Sequence, residues 1–220
     1  MATYLITGAS QGIGFQLVLT LLQQNHTVYA LARNSKKLAL LAERGAHIIS
    51  CDISDSADVE KFAKHVDDVV FDGLVNNAGM LINKPFLNLT EEDWLNSFQV
   101  NVFGPVRLIK TMNFSNNSHI VNISSMGGFQ GSSKYPGLSA YSASKGALST
   151  LTECLAGELE TVSVNCLCLG AVQTEMLSEA FPDYNAPVQS DEMATYIADF
   201  LQNGHRFFNG KLIPVALSNP

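Results

Sequence analysis

The chain has 220 residues, 46% hydrophobic and 15% charged, so it can bury a large core and is too apolar for a disordered segment. Its net charge of −7 would repel nucleic-acid phosphates, and no run of 18 apolar residues offers a membrane span. The opening MATYLITG enters a strand at once and lacks the basic-then-apolar pattern of a signal peptide.

Along the chain, apolar β-branched runs predict strands at 3–7, 27–32, 46–50, 71–75, 118–123, 162–168 and 211–215. Amphipathic stretches between them predict helices at 12–24, 35–44, 56–65, 91–112, 140–158 and 191–203. Thr90 with Asp93 forms a capping-box pattern, Ser139 and Ser190 stand where they could cap the helices that follow, and Gly204 can end the last one. Alternating strands and helices imply parallel strands joined by right-handed crossovers. The expected fold is therefore α/β, a Rossmann-type doubly wound parallel sheet with helices on both faces. No linker or repeat divides it, so residues 1–220 read as one domain. Segments 126–138 and 175–190 read as loops at the carboxyl edge of the sheet, where such folds bind ligands, and the second as a short lid.

The first strand runs into TGASQGIG and then a helix. Gly8, Gly12 and Gly14 leave room for a tight turn, for the approach of a pyrophosphate and for the helix to pack on the strand. The helix N-terminus offers free N–H groups to the phosphates. Dinucleotide folds that prefer NAD carry an acid at the end of the second strand, yet positions 28–34 contain none. Arg33 stands there, followed by Lys36 and Lys37, and 33–44 carries a local charge of +3 against −10 for the remainder. A guanidinium suits a 2′-phosphate, so NADP(H) is expected over NAD(H).

Tyr141 and Lys145 are four residues apart in SAYSASKGAL, one above the other on a helix face. A free tyrosine has a pKa of about 10 and is a poor proton donor or acceptor at neutral pH. The lysine charge and the helix N-terminus are both expected to acidify it. The four cysteines, Cys51, Cys154, Cys166 and Cys168, show neither disulfide-framework nor metal-ligand spacing. They suit a reducing cytoplasm, and no metal is expected.

Seven motifs now stand in order over about residues 3–175: TGASQGIG (7–14), CDI (51–53), NNAG (76–79), Asn101 in FQVNVFG, ISS (123–125), YSASK (141–145) and NCLCLGAVQT (165–174). In these the sequence resembles the short-chain dehydrogenase/reductase family. The resemblance implies that Gly8, Ser10, Gln11, Gly12, Ile13 and Gly14 hold the cofactor phosphates and that Asp52 and Ile53 meet the adenine. It implies that Asn77, Ala78 and Gly79 brace sheet and cofactor, and that Gly170, Val172 and Thr174 hold the nicotinamide. Leu169 replaces the family's usual Pro. The implied catalytic set is Asn101, which holds a water of a proton relay, with Ser125, Tyr141 and Lys145. Ser124 remains an alternative to its neighbour Ser125, and Tyr135 to Tyr141, the latter because the stretch between serine and tyrosine is longer than usual.

The activity implied is hydride transfer between NADP(H) and a carbonyl or secondary alcohol. Met176, Leu177, Phe181 and Tyr184 give the lid an apolar lining that fits a small or medium apolar substrate. Two alternatives stand beside it: a 3-oxoacyl-[acyl-carrier-protein] reductase, and a catalytically silent NADPH-binding regulator or scaffold. The resemblance also implies a homodimer or homotetramer assembled through 91–112 and 140–158, with Ala147 and Gly157 permitting close packing. Neither a nucleic acid nor a membrane is expected as partner.

Overall fold

The structure, a computed structural model, describes residues 1–217. Seven parallel strands form the central sheet: β1 (Thr3–Thr7), β2 (Thr27–Ala32), β3 (His47–Ser50), β4 (Val70–Asn76), β5 (Asn113–Ser125), β6 (Val162–Leu169) and, in the sheet's last place, Leu212–Val215. Their order is β3-β2-β1-β4-β5-β6 and then Leu212–Val215. The winding reverses between β1 and β4, so the crevice lies beyond the carboxyl ends of these two strands.

Alternation along each strand supplies both faces. Tyr4 and Ile6 of β1 pack with α1 (Gly12–Gln23), through Leu17, Val18 and Leu21, and with α2 (Ser35–Ala42), through Leu38 and Leu41. Leu5, between them, points the other way, to Val59 and Phe62 of α3 (Ser56–His65). Strands buried on both faces read as unbroken apolar runs, which is why they are plain in the sequence.

The predicted helix 91–112 is three pieces: α4 (Glu91–Phe98), a π-helical turn Gln99–Phe103, and α5 (Gly104–Thr111). Gly104 opens α5 against Ile53, whose Cδ1 would lie 2.6 Å from a Cβ there. β5 begins five residues before the predicted start, because Val70 and Phe71 pair with Asn113 and Phe114 before the register shifts. The polar NFSNNS hides that pairing.

After β5 come α6 (Ser139–Glu158), β6, β7 (Val172–Gln173), α7 (Glu175–Ala180), β8 (Val188–Gln189), α8 (Ser190–Asn203) and β9 (Leu212–Val215). The expected loop 175–190 is thus a helix and a short strand, and β8 pairs in parallel with β7. Thr90 and Asp93 do form the capping box of α4. Ser139 does not cap α6: Leu138 holds that position, and among the described residues Ser139 Oγ has no partner. Nor does Ser190 cap α8, where Gln189 and Glu192 form the box. Gly204 ends α8 as expected, with a right-handed φ of −62°. There a Cβ would fall 2.7 Å from the Phe200 ring, so lack of space, and not a left-handed bend, requires the glycine.

Candidate active site

The glycine turn is built from contacts that forbid side chains. Gly8 (φ +67°) and Gly12 (φ +55°) adopt the left-handed conformation, and a Cβ on Gly8 would lie 2.8 Å from Ala78 Cα. A Cβ on Gly14 would strike the Gly8 carbonyl. Gln11, at the N-cap of α1, makes no side-chain cap, so the first N–H groups of the helix face the crevice without a side-chain acceptor. The turn is braced from β4. Asn77 Nδ2 donates to the carbonyls of Thr7 (2.9 Å) and Gly8 (3.3 Å), while Thr7 Oγ1 accepts from the backbone N–H groups of Asn77 and Ala78, both at 3.0 Å. A bare turn at a helix N-terminus fits a dinucleotide pyrophosphate.

Past β2, Arg33 is exposed and lines the crevice. Asn34 caps α2 by accepting from the N–H groups of Lys36 and Lys37. Lys37 Nζ then reaches back to the glycine turn and donates to Gln11 Oε1 at 2.6 Å. Lys37 lines the cavity with Arg33, whereas Lys36 does not. Asp52 also lines it, but its Oδ1 accepts from Ser54 N (2.9 Å) and Ser54 Oγ (2.7 Å), so it holds a turn ahead of α3.

The π-helical turn carries Asn101, which is fully buried. Its Oδ1 accepts from Met80 N at 2.8 Å, and its Nδ2 donates to Met80 O and to Ser144 Oγ, each at 2.9 Å. Ser144 Oγ in turn donates to the Tyr141 carbonyl at 2.7 Å. Asn101 therefore ties the NNAG segment to the first turns of α6. Ser144 was not singled out in the sequence; lying three residues beyond Tyr141, it shares that residue's face of α6. Gly79 lies between Asn101 and Lys145: a Cβ there would be 3.5 Å from Asn101 Oδ1 and 3.4 Å from Lys145 Nζ, ordinary contact distances.

Lys145 is 3% exposed and donates from Nζ to the Ile123 carbonyl at 2.7 Å. The ammonium stands 5.9 Å from the centre of the Tyr141 ring. Burial pushes the lysine pKa down to about 8. Burial also pushes the Tyr141 phenol up, with the Ser125 hydroxyl pulling the other way. The expected acidification of the phenol is thus reversed: burial raises its pKa more than the Ser125 hydroxyl lowers it.

Strand alternation separates the two serines. Ser124 is buried and donates to the Lys145 carbonyl at 2.9 Å, so its proton is committed. Ser125 ends β5 and caps the 3₁₀ turn Met126–Gly128, accepting from Gly127 N at 3.1 Å, which leaves its own proton for another acceptor. Tyr135 sits 55% exposed at the rim, off any helix. The geometry favours Ser125 and Tyr141 over both alternatives.

Gly170 N donates to Val215 O at 2.9 Å. Leu169 pairs with both Ser125 and Val215, so it continues the sheet where a proline would interrupt it. Thr174 caps α7 through Leu177 N (3.2 Å) and packs its Cγ2 toward Gly12. One cavity of about 770 Å³ joins these groups; Gly14 and Asn101 lie behind its wall. Its lining includes the cations Arg33 and Lys37 and the side chains of Leu138, Met176, Leu177, Phe181 and Tyr184. Among the described residues no helix is long and apolar enough to cross a membrane.

Known proteins resemble this chain in sequence and in fold. L-xylulose reductase of Caenorhabditis elegans is 34% identical over 192 residues, spanning 81% of this chain and 75% of its own. A short-chain dehydrogenase from Shigella flexneri, solved with NADP, superimposes with a TM-score of 0.88 at 25% identity, covering 97% of this chain and 96% of that one. 4-Hydroxyisoleucine dehydrogenase, solved with NADH, gives a TM-score of 0.87 at 23% identity over 98% and 97% of the two chains, a likeness of fold. Residues 2–185 match the family model described as short chain dehydrogenase. The chain is an oxidoreductase of the short-chain dehydrogenase/reductase family.

Proposed function

We propose that the protein transfers hydride between NADP(H) and the carbonyl or secondary alcohol of a small or medium apolar compound, with residues 1–220 acting as one catalytic domain. The carrying observation is that Tyr141, Ser125 and the buried Lys145 open onto the same cavity as the cation-flanked glycine turn. A bound nicotinamide would supply or accept the hydride. Gly8, Ser10, Gln11, Gly12 and Ile13 would hold its pyrophosphate, Asp52 and Ile53 would flank the adenine, and Gly170, Val172 and Thr174 would face the nicotinamide.

The protein's own groups handle the proton. Tyr141 opens onto the cavity beside Ser125 and would act as general acid toward a carbonyl oxygen, although burial raises its pKa and so opposes proton donation. Ser125 donates to the same oxygen as negative charge develops on it. Lys145 lies beneath the phenol ring, and Asn101 with Ser144 fixes the helix turn that presents both. The preference for NADP(H) rests on Arg33 and Lys37, two cations lining the cavity where an NAD enzyme would present an acid.

Apart from the Glu175 carboxylate, α7 and the segment after it line the cavity with apolar and hydroxyl groups, which suits an apolar carbonyl compound better than a polyanion. The four cysteines are unpaired, in keeping with a cytoplasmic protein. Exposed Leu95 and Phe103, on 91–111, give a homo-oligomer an apolar face to bury. The test is NADPH absorbance with a panel of ketones, quinones and acyl thioesters, each repeated with NADH. Turnover of apolar ketones with NADPH supports the reading. Turnover of acyl thioesters alone replaces it with acyl reduction, and binding of NADPH without turnover of any compound replaces it with a regulator.

A further inference from the structure

Three segments far apart in sequence help to wall the cavity: the stretch after β4, the 126–138 loop and the excursion 174–187 that contains α7. The excursion has fixed feet, because β7 and β8 pair at Val172–Val188 and Gln173–Gln189. Gln173 adds two bonds, to Ser178 Oγ (3.0 Å) and from Ala186 N (2.9 Å).

The far end of the excursion is held differently. The last carbonyls of a helix have no partner within it, and that of Ala180, the last residue of α7, is among them. Asn83 Nδ2 supplies the donor at 2.9 Å, across 97 residues of sequence. The opposite edge of the same side chain rests on the other wall: Asn83 Oδ1 comes so near Gly137 (φ +86°) that a Cβ there would collide with it. Beside it, Lys84 N donates to the Gly137 carbonyl at 2.9 Å. Lys84 Nζ is itself paired with Asp93 Oδ2 at 2.6 Å, in the capping box of α4. Asn83 thus touches both walls at once, from a strap fastened to a helix.

We propose that Asn83 is a specificity-determining residue: it clamps α7 onto the 126–138 loop and so limits the size of carbonyl compound admitted. Met176, Leu177 and Phe181 line the cavity from the clamped element, so its position sets the room beside Tyr141. The size limit, though not the clamp, rests on the carbonyl-reductase reading. A single exposed hydrogen bond shifts the balance of closed and open forms by about two- to tenfold, enough to hold the lid and weak enough to release it.

The test uses Asn83→Asp, which keeps an oxygen against Gly137 but loses the donor, and Asn83→Ala. Amide hydrogen exchange over 175–187 reads the clamp without turnover, and about two- to tenfold faster exchange in both variants is expected. Unchanged exchange in both overturns the clamp. The ratio of kcat/KM for a two-ring ketone over cyclohexanone reads the size limit. It is expected to rise by a similar factor with the KM for NADPH unchanged. An unchanged ratio beside faster exchange overturns the role in specificity. If the wild-type protein reduces neither ketone, the functional reading falls, and exchange alone decides the clamp.

Discussion

Lys145 Nζ reaches past the Tyr141 ring to the carbonyl of Ile123, 2.7 Å away. Because the side chain is buried, its charge carries a desolvation cost, and its pKa falls from 10.5 to about 8. The folded value lies below the unfolded one. Between pH 8 and 10.5 the unfolded chain therefore binds the extra proton, and the stability contributed by this group rises with pH across that window. The shift corresponds to roughly 3 kcal/mol.

Lys145→Met should then separate chemistry from stability. At pH 7 it relieves the buried charge but leaves Ile123 O without its donor, a loss of about 1–3 kcal/mol. The variant should be at least as stable as the wild type at pH 7, with any advantage smaller at pH 9, and at least a hundredfold slower. Urea denaturation of both proteins at the two pH values checks it. A variant clearly less stable than the wild type at pH 7 would show that the ammonium is a net stabilising group.

Tyr141→Phe removes the proton donor and little else. Turnover should fall by about a hundredfold or more, as for loss of general acid catalysis. Ser125→Ala should cost about a hundred- to a thousandfold if that hydroxyl stabilises developing charge. NADPH affinity, read by fluorescence, should be nearly unchanged in both. Full activity in the phenylalanine variant would rule out Tyr141 as the acid.

Arg33 and Lys37 line the cavity, and Lys37 donates to Gln11 of the glycine turn. Arg33→Ala should weaken NADPH binding by about ten- to a hundredfold, the worth of a charge-assisted contact, and leave NADH binding within about twofold. Lys37→Ala should act in the same direction and more weakly. Binding measured with both cofactors at two salt concentrations checks this; equal losses for NADPH and NADH would remove the basis for the preference.

What was legible in the sequence depended on how local its cause was. β1, the glycine turn and α1 are contiguous, so residues 3–23 announce both the fold and its use. Tyr141 and Lys145 are one helical turn apart and read the same way. The aim of Asn101 was hidden, because it depends on a π-helical turn that straight helical periodicity does not show. The lid helix was hidden too: its cap, Thr174, was assigned to the nicotinamide, and six residues are too few for a periodic signal. Ser139 looks like a cap and is not one, since Leu138 holds the cap position of α6. The reversed shift on Tyr141 reflects burial, a tertiary property that the spacing to Lys145 does not encode.

Asn101 provides the last test, because its amide has partners on both sides. Asn101→Asp keeps an acceptor for Met80 N but loses the donor to Met80 O and Ser144 Oγ, and places a carboxylate near the fully buried Ser144. Asn101→Ala leaves all three partner groups without their amide contacts. An unpaired buried polar group costs about 1–3 kcal/mol, so the alanine variant should lose at least about 2 kcal/mol of stability. If Asn101 only supported the fold, suppressing its destabilisation by working at low temperature should restore kcat. The tie from Met80 through Ser144 to the Tyr141 carbonyl instead predicts that kcat stays depressed, by about tenfold or more, with NADPH affinity intact. A thermal melt paired with kinetics at two temperatures separates the two, and recovery of full kcat in the cold would leave Asn101 with a structural role alone.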